Sequence, residues 1–295
     1  MFVSKALTAP SKVFVCRNTS DNTRAIEINL SERGRNCRYN FITIDGEEVK
    51  LDWNKDLPSA KKKEFSEIRI LRRRGEIDKA VIKSYFLIYE LINKATTPSE
   101  INVGLLGKTL IGLSRIYQSN GAWDAAERYA SFVSELDPEN IYANQSVAVC
   151  IRDGGKSDDL YESVPFAEAA VHSDPSSISA RKTLAITYRQ AELAELGLEH
   201  SEWAFELERL KPSEHRLAST YTTFAAILID LANKKMFLGE KPDAEVYYKW
   251  AREVLDLGSK ELRGYEVNNF NNLKDVVLDL VSPEIHNKYF SEAAA

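Results

Sequence analysis

Residues 107–138 read GKTLIGLSRIYQSNGAWDAAERYASFVSELDP, and this stretch predicts two helices joined by a tight turn. Leu113 and Tyr117 stand four residues apart, so they lie on one face of the first helix and can pack against the second. Gly121 suits the turn because glycine adopts backbone conformations that a Cβ disfavours. Pro138 ends the second helix because proline has no amide hydrogen to donate to the helical ladder. The stretch is therefore a helix pair with defined ends.

The same pattern recurs along the chain. The turn GAWDAA at 121–126 has a second copy, GEIDKA, at 75–80, and weaker copies of the helix pair follow as far as residue 258. A fixed period of about this size is typical of arrays of helical repeats. Four prolines mark the period at intervals of 40, 37 and 37 residues: Pro98, Pro138, Pro175 and Pro212.

The helix pair resembles the tetratricopeptide repeat, with Ala126 where the two helices cross closely and Leu136-Asp137-Pro138 at its end. The resemblance covers about five copies over residues 64–258. It implies a mainly α fold, an α-solenoid of helix-turn-helix repeats that binds a protein partner in a concave groove. The helices that line such a groove are the first helices of the repeats.

The first fifty residues have a different pattern. Four β-rich segments separated by turn residues, among them Asp45-Gly46, predict four short strands in a small antiparallel sheet. Three domains are expected: a β-rich domain over 1–56, helical repeats over 57–262, and capping helices over 263–295. A repeat array needs a polar cap on its terminal unit, and the C-terminal helices suit that role.

The resemblance also implies which side chains face the groove. Positions two, five, nine and twelve of each first helix share one helical face, and in this chain they hold mostly cations. The neighbouring position Ile111 would add apolar area, and Gln118 falls on the same face. The family's carboxylate clamp is not reproduced, because Phe65, Ile111 and two arginines stand where the clamp has lysine and asparagine. The expected partner-binding cations are Arg69, Arg72, Lys108, Arg115, Arg152, Lys182 and Arg189.

Composition limits the function classes. The chain has 295 residues, 44% of them hydrophobic, and a net charge of −5, which argues against attraction of the whole molecule to nucleic acid. Three widely separated cysteines predict a reducing compartment with no disulfide framework. No apolar run is long enough for a signal peptide or a membrane span, so a cytoplasmic location with no membrane partner is expected.

No catalytic constellation is found in the sequence. The four histidines lie far apart and none has metal-ligand spacing. Gly155-Lys156-Ser157 resembles the end of a phosphate-binding loop, but Cys150 stands where that loop requires glycine. The expectation is a non-enzymatic protein with no cofactor and no metal.

Two functions remain open, with a third arrangement beside them. The first is an adaptor or scaffold that binds an acidic segment of a protein partner in the basic groove. The alternative is a nucleic-acid-binding regulator, in which the N-terminal sheet contacts single strands and the repeats recruit a partner. Self-association through the repeats, and a groove filled by residues 282–295, are also left open. The residues expected to contact nucleic acid are Arg33, Arg35, Arg38, Tyr39 and Phe41.

Overall fold

The computed structural model describes residues 13–17, 25–29, 41–44, 47–50, 59–93, 103–154 and 160–291. The chain divides into two compact units, Met1–Cys150 and Ile151–Ala295. The described residues of the two units are mainly helical, as the repeat pattern predicts.

The helices follow one another with short connections. In the first unit and across its end they are α1 (Ser59–Arg73), α2 (Ile77–Asn93), α3 (Val103–Ser119), α4 (Trp123–Leu136) and α5 (Ile141–Asp153). In the second unit they are α6 (Val164–Ser173), α7 (Ile178–Gln190), α8 (Ala194–Arg209), α9 (Ala218–Phe237), α10 (Lys241–Glu261), α11 (Tyr265–Leu278) and α12 (Pro283–Ile285). Two 3₁₀ turns, Leu160–Ser163 and Ser213–His215, and a π turn, His286–Phe290, complete the described helical structure.

Two pairs of strands precede the helices. They are β1 (Val13–Arg17) with β2 (Ala25–Asn29), and β3 (Phe41–Ile44) with β4 (Glu47–Lys50), both antiparallel. In the second pair Ile44 lies opposite Glu47, which fits the hairpin predicted at residues 45–46.

The small β domain predicted over residues 1–56 is not supported. The four predicted strands are present, but the described residues form two separate two-stranded sheets rather than one four-stranded sheet. A single sheet needs a continuous ladder of backbone hydrogen bonds, and none of the described ladders joins β1 or β2 to β3 or β4. The described strands therefore do not make the shared face that a single antiparallel sheet requires.

One turn geometry closes four of the helix pairs. After α1, α3, α7 and α9 the chain places a residue in the left-handed region, at Gly75, Gly121, Glu192 and Gly239. In the α3–α4 turn the amide of Ala122 donates to the carbonyl of Tyr117 at 2.9 Å, and that of Gly121 to Gln118 at 3.1 Å. These two bonds satisfy carbonyls that the helix end leaves without partners. The turn thus fixes where each first helix stops and the second begins.

The core of the second unit centres on α9, which packs against α8, α10 and α11. Tyr221, Phe224 and Ile227 on α9 are at most 1% exposed. Helix α11 closes this core with Phe270, whose ring lies where a Cβ on Gly258 would approach to 2.5 Å. A side chain at position 258 would displace the Phe270 ring, so the close approach of α11 to α10 requires glycine there.

A charged network fastens the end of α10 to the α8–α9 connection. Glu261 accepts from Arg216 at 2.8 Å, from Arg209 at 3.2 Å and from the Tyr221 hydroxyl at 2.8 Å. Burial opposes ionisation of Glu261, but the hydrogen bonds from Tyr221 and Arg209 outweigh it and lower the pKa of this carboxyl. The carboxylate is therefore more stable in the folded chain than in the unfolded one.

Glu192 is the one non-glycine residue in the left-handed region within the described residues. A side chain in this conformation costs about 1 kcal/mol, so we expect Glu192→Gly to raise the free energy of unfolding by about 0.5 kcal/mol once the greater freedom of unfolded glycine is subtracted. Gly121→Ala is the matched control: no atom lies within 4 Å of the added Cβ, so backbone strain alone, less the same unfolded-state term, should lower the free energy of unfolding by about 0.5 kcal/mol. Urea denaturation measures both changes; effects of the same sign would contradict the strain argument.

Glu261→Gln is expected to lower the free energy of unfolding by about 2 kcal/mol near neutral pH, because charge-assisted hydrogen bonds are lost. The folded pKa of Glu261 is depressed, so its contribution is present above the unfolded value of about 4.3 and disappears as the pH falls through the folded value. The difference in free energy of unfolding between variant and wild type should therefore become smaller below about pH 4. Urea titrations across this range, with the exposed Glu253→Gln on the same helix as control, measure it; a gap that stays constant with pH would refute the network's role.

Candidate functional site

Three of the expected groove cations come together in the first unit. Arg69 and Arg72 lie on α1, and Arg115 lies on α3, which packs beside α1. Burial lowers the pKa of the Arg115 guanidinium, and the charges of Arg72 and Arg69 lower it further. Burial, then the charges of Arg69 and Arg73, likewise lowers the pKa of Arg72. We call Arg69, Arg72 and Arg115 the arginine cluster.

The arginine cluster has no matching carboxylate among the described side chains. The acidic residues of α1 and α2 pair elsewhere: Glu64 and Glu90 with Lys61, and Glu67 with Lys83. No described ion pair includes Arg69, Arg72 or Arg115. The cluster is consequently a concentration of positive charge, and an anionic group bound there would relieve the mutual repulsion of the arginines.

Tyr142, on α5, is a member of the site that the groove positions did not include. The Arg115 guanidinium lies over its ring at 5.2 Å from the centroid, and the tyrosine is 57% exposed. A cation–π contact of this kind holds the guanidinium in place without neutralising it. The sequence signal was an aromatic residue at the start of the next first helix, but its partner could be identified only from the packing of α3 against α5.

The other groove positions of α3 differ in exposure. Lys108 is exposed, two turns before Arg115 and on the same face. Ile111 is only 6% exposed, so the prediction that it adds contact area is wrong: it packs into the core of its unit. Gln118 donates to the carbonyl of Ser146 and to Cys150 Sγ, and therefore ties α3 to α5.

The three expected cations of the second unit have partners within the fold. Arg152 makes two hydrogen bonds of 2.7 Å to the carboxylate of Asp153. Arg189 forms an ion pair with Asp230. Lys182 donates to the Ser219 hydroxyl at 2.7 Å, and burial lowers its pKa. These contacts hold helices together or neutralise charge, so a ligand would gain less from these cations than from the arginine cluster.

Of the residues expected to contact nucleic acid, only Phe41 lies within the described part of the chain. Arg33, Arg35, Arg38 and Tyr39 lie outside the described residues, and Phe41 begins β3. The turn at Gly155-Lys156-Ser157 also lies outside them. In the part of the chain that is described, no helix is long and apolar enough to cross a membrane, and no group of three or more metal-binding side chains is found.

No protein-family model matches the chain, and no curated protein sequence is similar to it. Solved structures are similar in fold. TTC0263, a thermophilic TPR protein from Thermus thermophilus, is 12% identical, with a TM-score of 0.50 over 75% of this chain and 98% of that one. MamA from Desulfovibrio magneticus RS-1 is 14% identical, with a TM-score of 0.47 over 68% of this chain and 97% of that one. With the repeated helix pairs and their common turn, the similarity to TTC0263 shows that this chain has a tetratricopeptide-repeat-like fold.

Proposed function

We propose that this protein is a non-enzymatic interaction module that binds an acidic segment of a protein partner at the arginine cluster. The observation that carries the proposal is that Arg115 lies close enough to Arg69 and Arg72 for their charges to lower its pKa, while no described carboxylate pairs with any of the three. A repeat fold of this kind offers a preformed surface for such binding. Tyr142 adds an exposed aromatic ring beside the charges.

The chemistry of the cluster suits carboxylates. A guanidinium presents a planar fork that binds a carboxylate through two parallel hydrogen bonds. Arg115 is partly buried, so its attraction for an anion is less screened by salt than that of a surface lysine. Because Tyr142 already restrains this side chain, binding sacrifices less side-chain entropy.

A binding role fits these groups better than catalysis does. Arginine stays protonated at physiological pH, so the cluster cannot exchange protons as a general acid or base does. Its charges can stabilise a bound anion but supply no nucleophile. The proposed mechanism is therefore recognition of charge and shape, with no bond made or broken.

We assign fewer cations to the proposed site than the repeat positions predict. We leave Arg152, Lys182 and Arg189 out of the proposed contacts, because each already donates to a side chain of the fold, namely Asp153, Ser219 and Asp230. Lys108 is kept as a peripheral contact, since it is exposed on the same face of α3 as Arg115. The proposed site thus lies wholly within the first unit.

Replacing Arg69, Arg72 and Arg115 together with glutamine should weaken binding of a fluorescein-labelled glutamate-rich peptide by more than about tenfold, because each charge-assisted hydrogen bond contributes on the order of 1.5 kcal/mol. Fluorescence anisotropy measures this affinity. The matched control neutralises three exposed cations of the same unit, Lys63, Lys79 and Arg128, and should change affinity by less than about threefold.

Two outcomes decide the proposal. Equal weakening by the two triple variants would reduce the binding to net charge and overturn it. Unchanged binding by the cluster variant, with the fold verified by circular dichroism, would also overturn it. Affinity capture with wild type and the cluster variant then identifies the natural partner as the protein retained by the first and lost by the second.

A further inference from the structure

The second unit carries an open apolar depression that the proposed function does not use. It has a volume of about 400 Å³ and lies between the residues that precede α7 and the outer face of α8. No expected groove residue lines it. Its lining residues are Pro175, Ser176, Trp203, Glu206, Leu207 and Leu210.

Trp203 is held in a fixed position at the edge of the depression. The Arg181 guanidinium lies over its ring at 3.8 Å from the centroid, and Arg181 itself is only 5% exposed. Its Nε donates to the Pro175 carbonyl at 2.6 Å and its Nη1 to His200 Nδ1 at 3.2 Å. Trp203 nevertheless remains 53% exposed. A rigid, half-exposed tryptophan of this kind is typical of the anchor residues of protein interfaces.

The exposed apolar surface continues along the helix axis on both sides of Trp203. Leu196, Trp203 and Leu210 follow one another at intervals of seven residues and are 53%, 53% and 82% exposed. A seven-residue spacing places side chains in one line along a helix, as in the seam between two paired helices. We call these three residues the α8 stripe. Its spacing favours a helical occupant over an extended one.

A row of carboxylates runs beside the α8 stripe. Glu195, Glu199, Glu202 and Glu206 recur at three- and four-residue spacing and are all exposed. Glu195 pairs with Lys234, and Glu206 lies 3.9 Å from Arg209. Glu199 and Glu202 form no ion pair with a described side chain. An occupant with lysines or arginines beside its apolar face would meet complementary charge, whereas a second copy of this same face would set carboxylates against carboxylates.

From the depression, the α8 stripe and the row of carboxylates together, we infer that the outer face of α8 binds a basic amphipathic helix of a partner protein, with one apolar side chain of that helix seated against Trp203. This site is separate from the arginine cluster: it lies in the other unit and selects the opposite charge. The protein would thus bind one acidic and one basic partner segment.

The probe for this site is a synthetic helical peptide with leucines at seven-residue spacing flanked by lysines, titrated into the full chain by calorimetry. Replacing Glu199, Glu202 and Glu206 with glutamine should weaken binding by roughly tenfold. Leu196→Gln with Leu210→Gln should weaken it similarly by removing apolar contact, and both changes are at exposed positions that leave the Arg181 contacts intact. A Trp203→Ala variant is a harsher test, since it uncovers Arg181.

Three controls distinguish binding at this site from nonspecific electrostatic binding of the basic peptide. Neutralising Glu253, Asp275 and Asp279, exposed carboxylates of α10 and of the end of α11, should leave the affinity within about twofold. A scrambled peptide of the same composition should bind at least several-fold more weakly. The arginine-cluster variant should bind the basic peptide as wild type does. The inference would be overturned if the scrambled peptide bound as tightly as the helical one, or if the control variant lost as much affinity as the Glu199, Glu202 and Glu206 variant. It would also be overturned if light scattering showed that the wild-type protein is an oligomer and that the two leucine changes convert it to monomers.

Discussion

The left-handed residue that ends the first helix of a pair is the constraint on which the rest of the structure depends. The same two backbone hydrogen bonds end the first helix at Gly75, Gly121, Glu192 and Gly239, and they direct the chain into the second helix of the pair. Because each turn stops the first helix at an equivalent residue, the helical face presented to the neighbouring repeat is fixed as well. Side chains spaced at three and four residues then either enter the core or stay outside it.

That placement decides which charges are available to a ligand. Cations at equivalent repeat positions have unlike surroundings: Arg189 lies within reach of Asp230, whereas Arg115 lies beside Arg72 and Tyr142. An ion pair formed inside the fold removes most of what an incoming carboxylate could gain. Whether an arginine is structural or belongs to the proposed binding site therefore depends on the helix packed opposite it.

The sequence predicted local features such as turns and strands, but few of the contacts between segments that are distant in the chain. The left-handed turns at Gly75 and Gly121 were predicted because glycine marks them, but the turn at Glu192 was not, since no glycine stands there. The strands of the first fifty residues followed from β-forming side chains, yet their pairing as two separate sheets did not. Likewise, the arginines could be placed on first helices by spacing, while the role of Tyr142 required the packing of α5 against α3. Periodicity fixes faces; it does not say which residue of another helix stands opposite.

A net charge of −5 conceals two surfaces of opposite sign. Charge alone would make both of them unselective, since exposed ion pairs contribute little and weaken with salt. Each surface combines its charges with a restrained aromatic ring: Tyr142 beside Arg115, and Trp203 over Arg181. The ring supplies apolar contact that salt does not screen, and its cation–π partner restricts its motion before a ligand arrives. In the two binding proposals, selectivity at either surface therefore follows from the pairing of charge with a rigid aromatic side chain, which neither net charge nor helical spacing reveals.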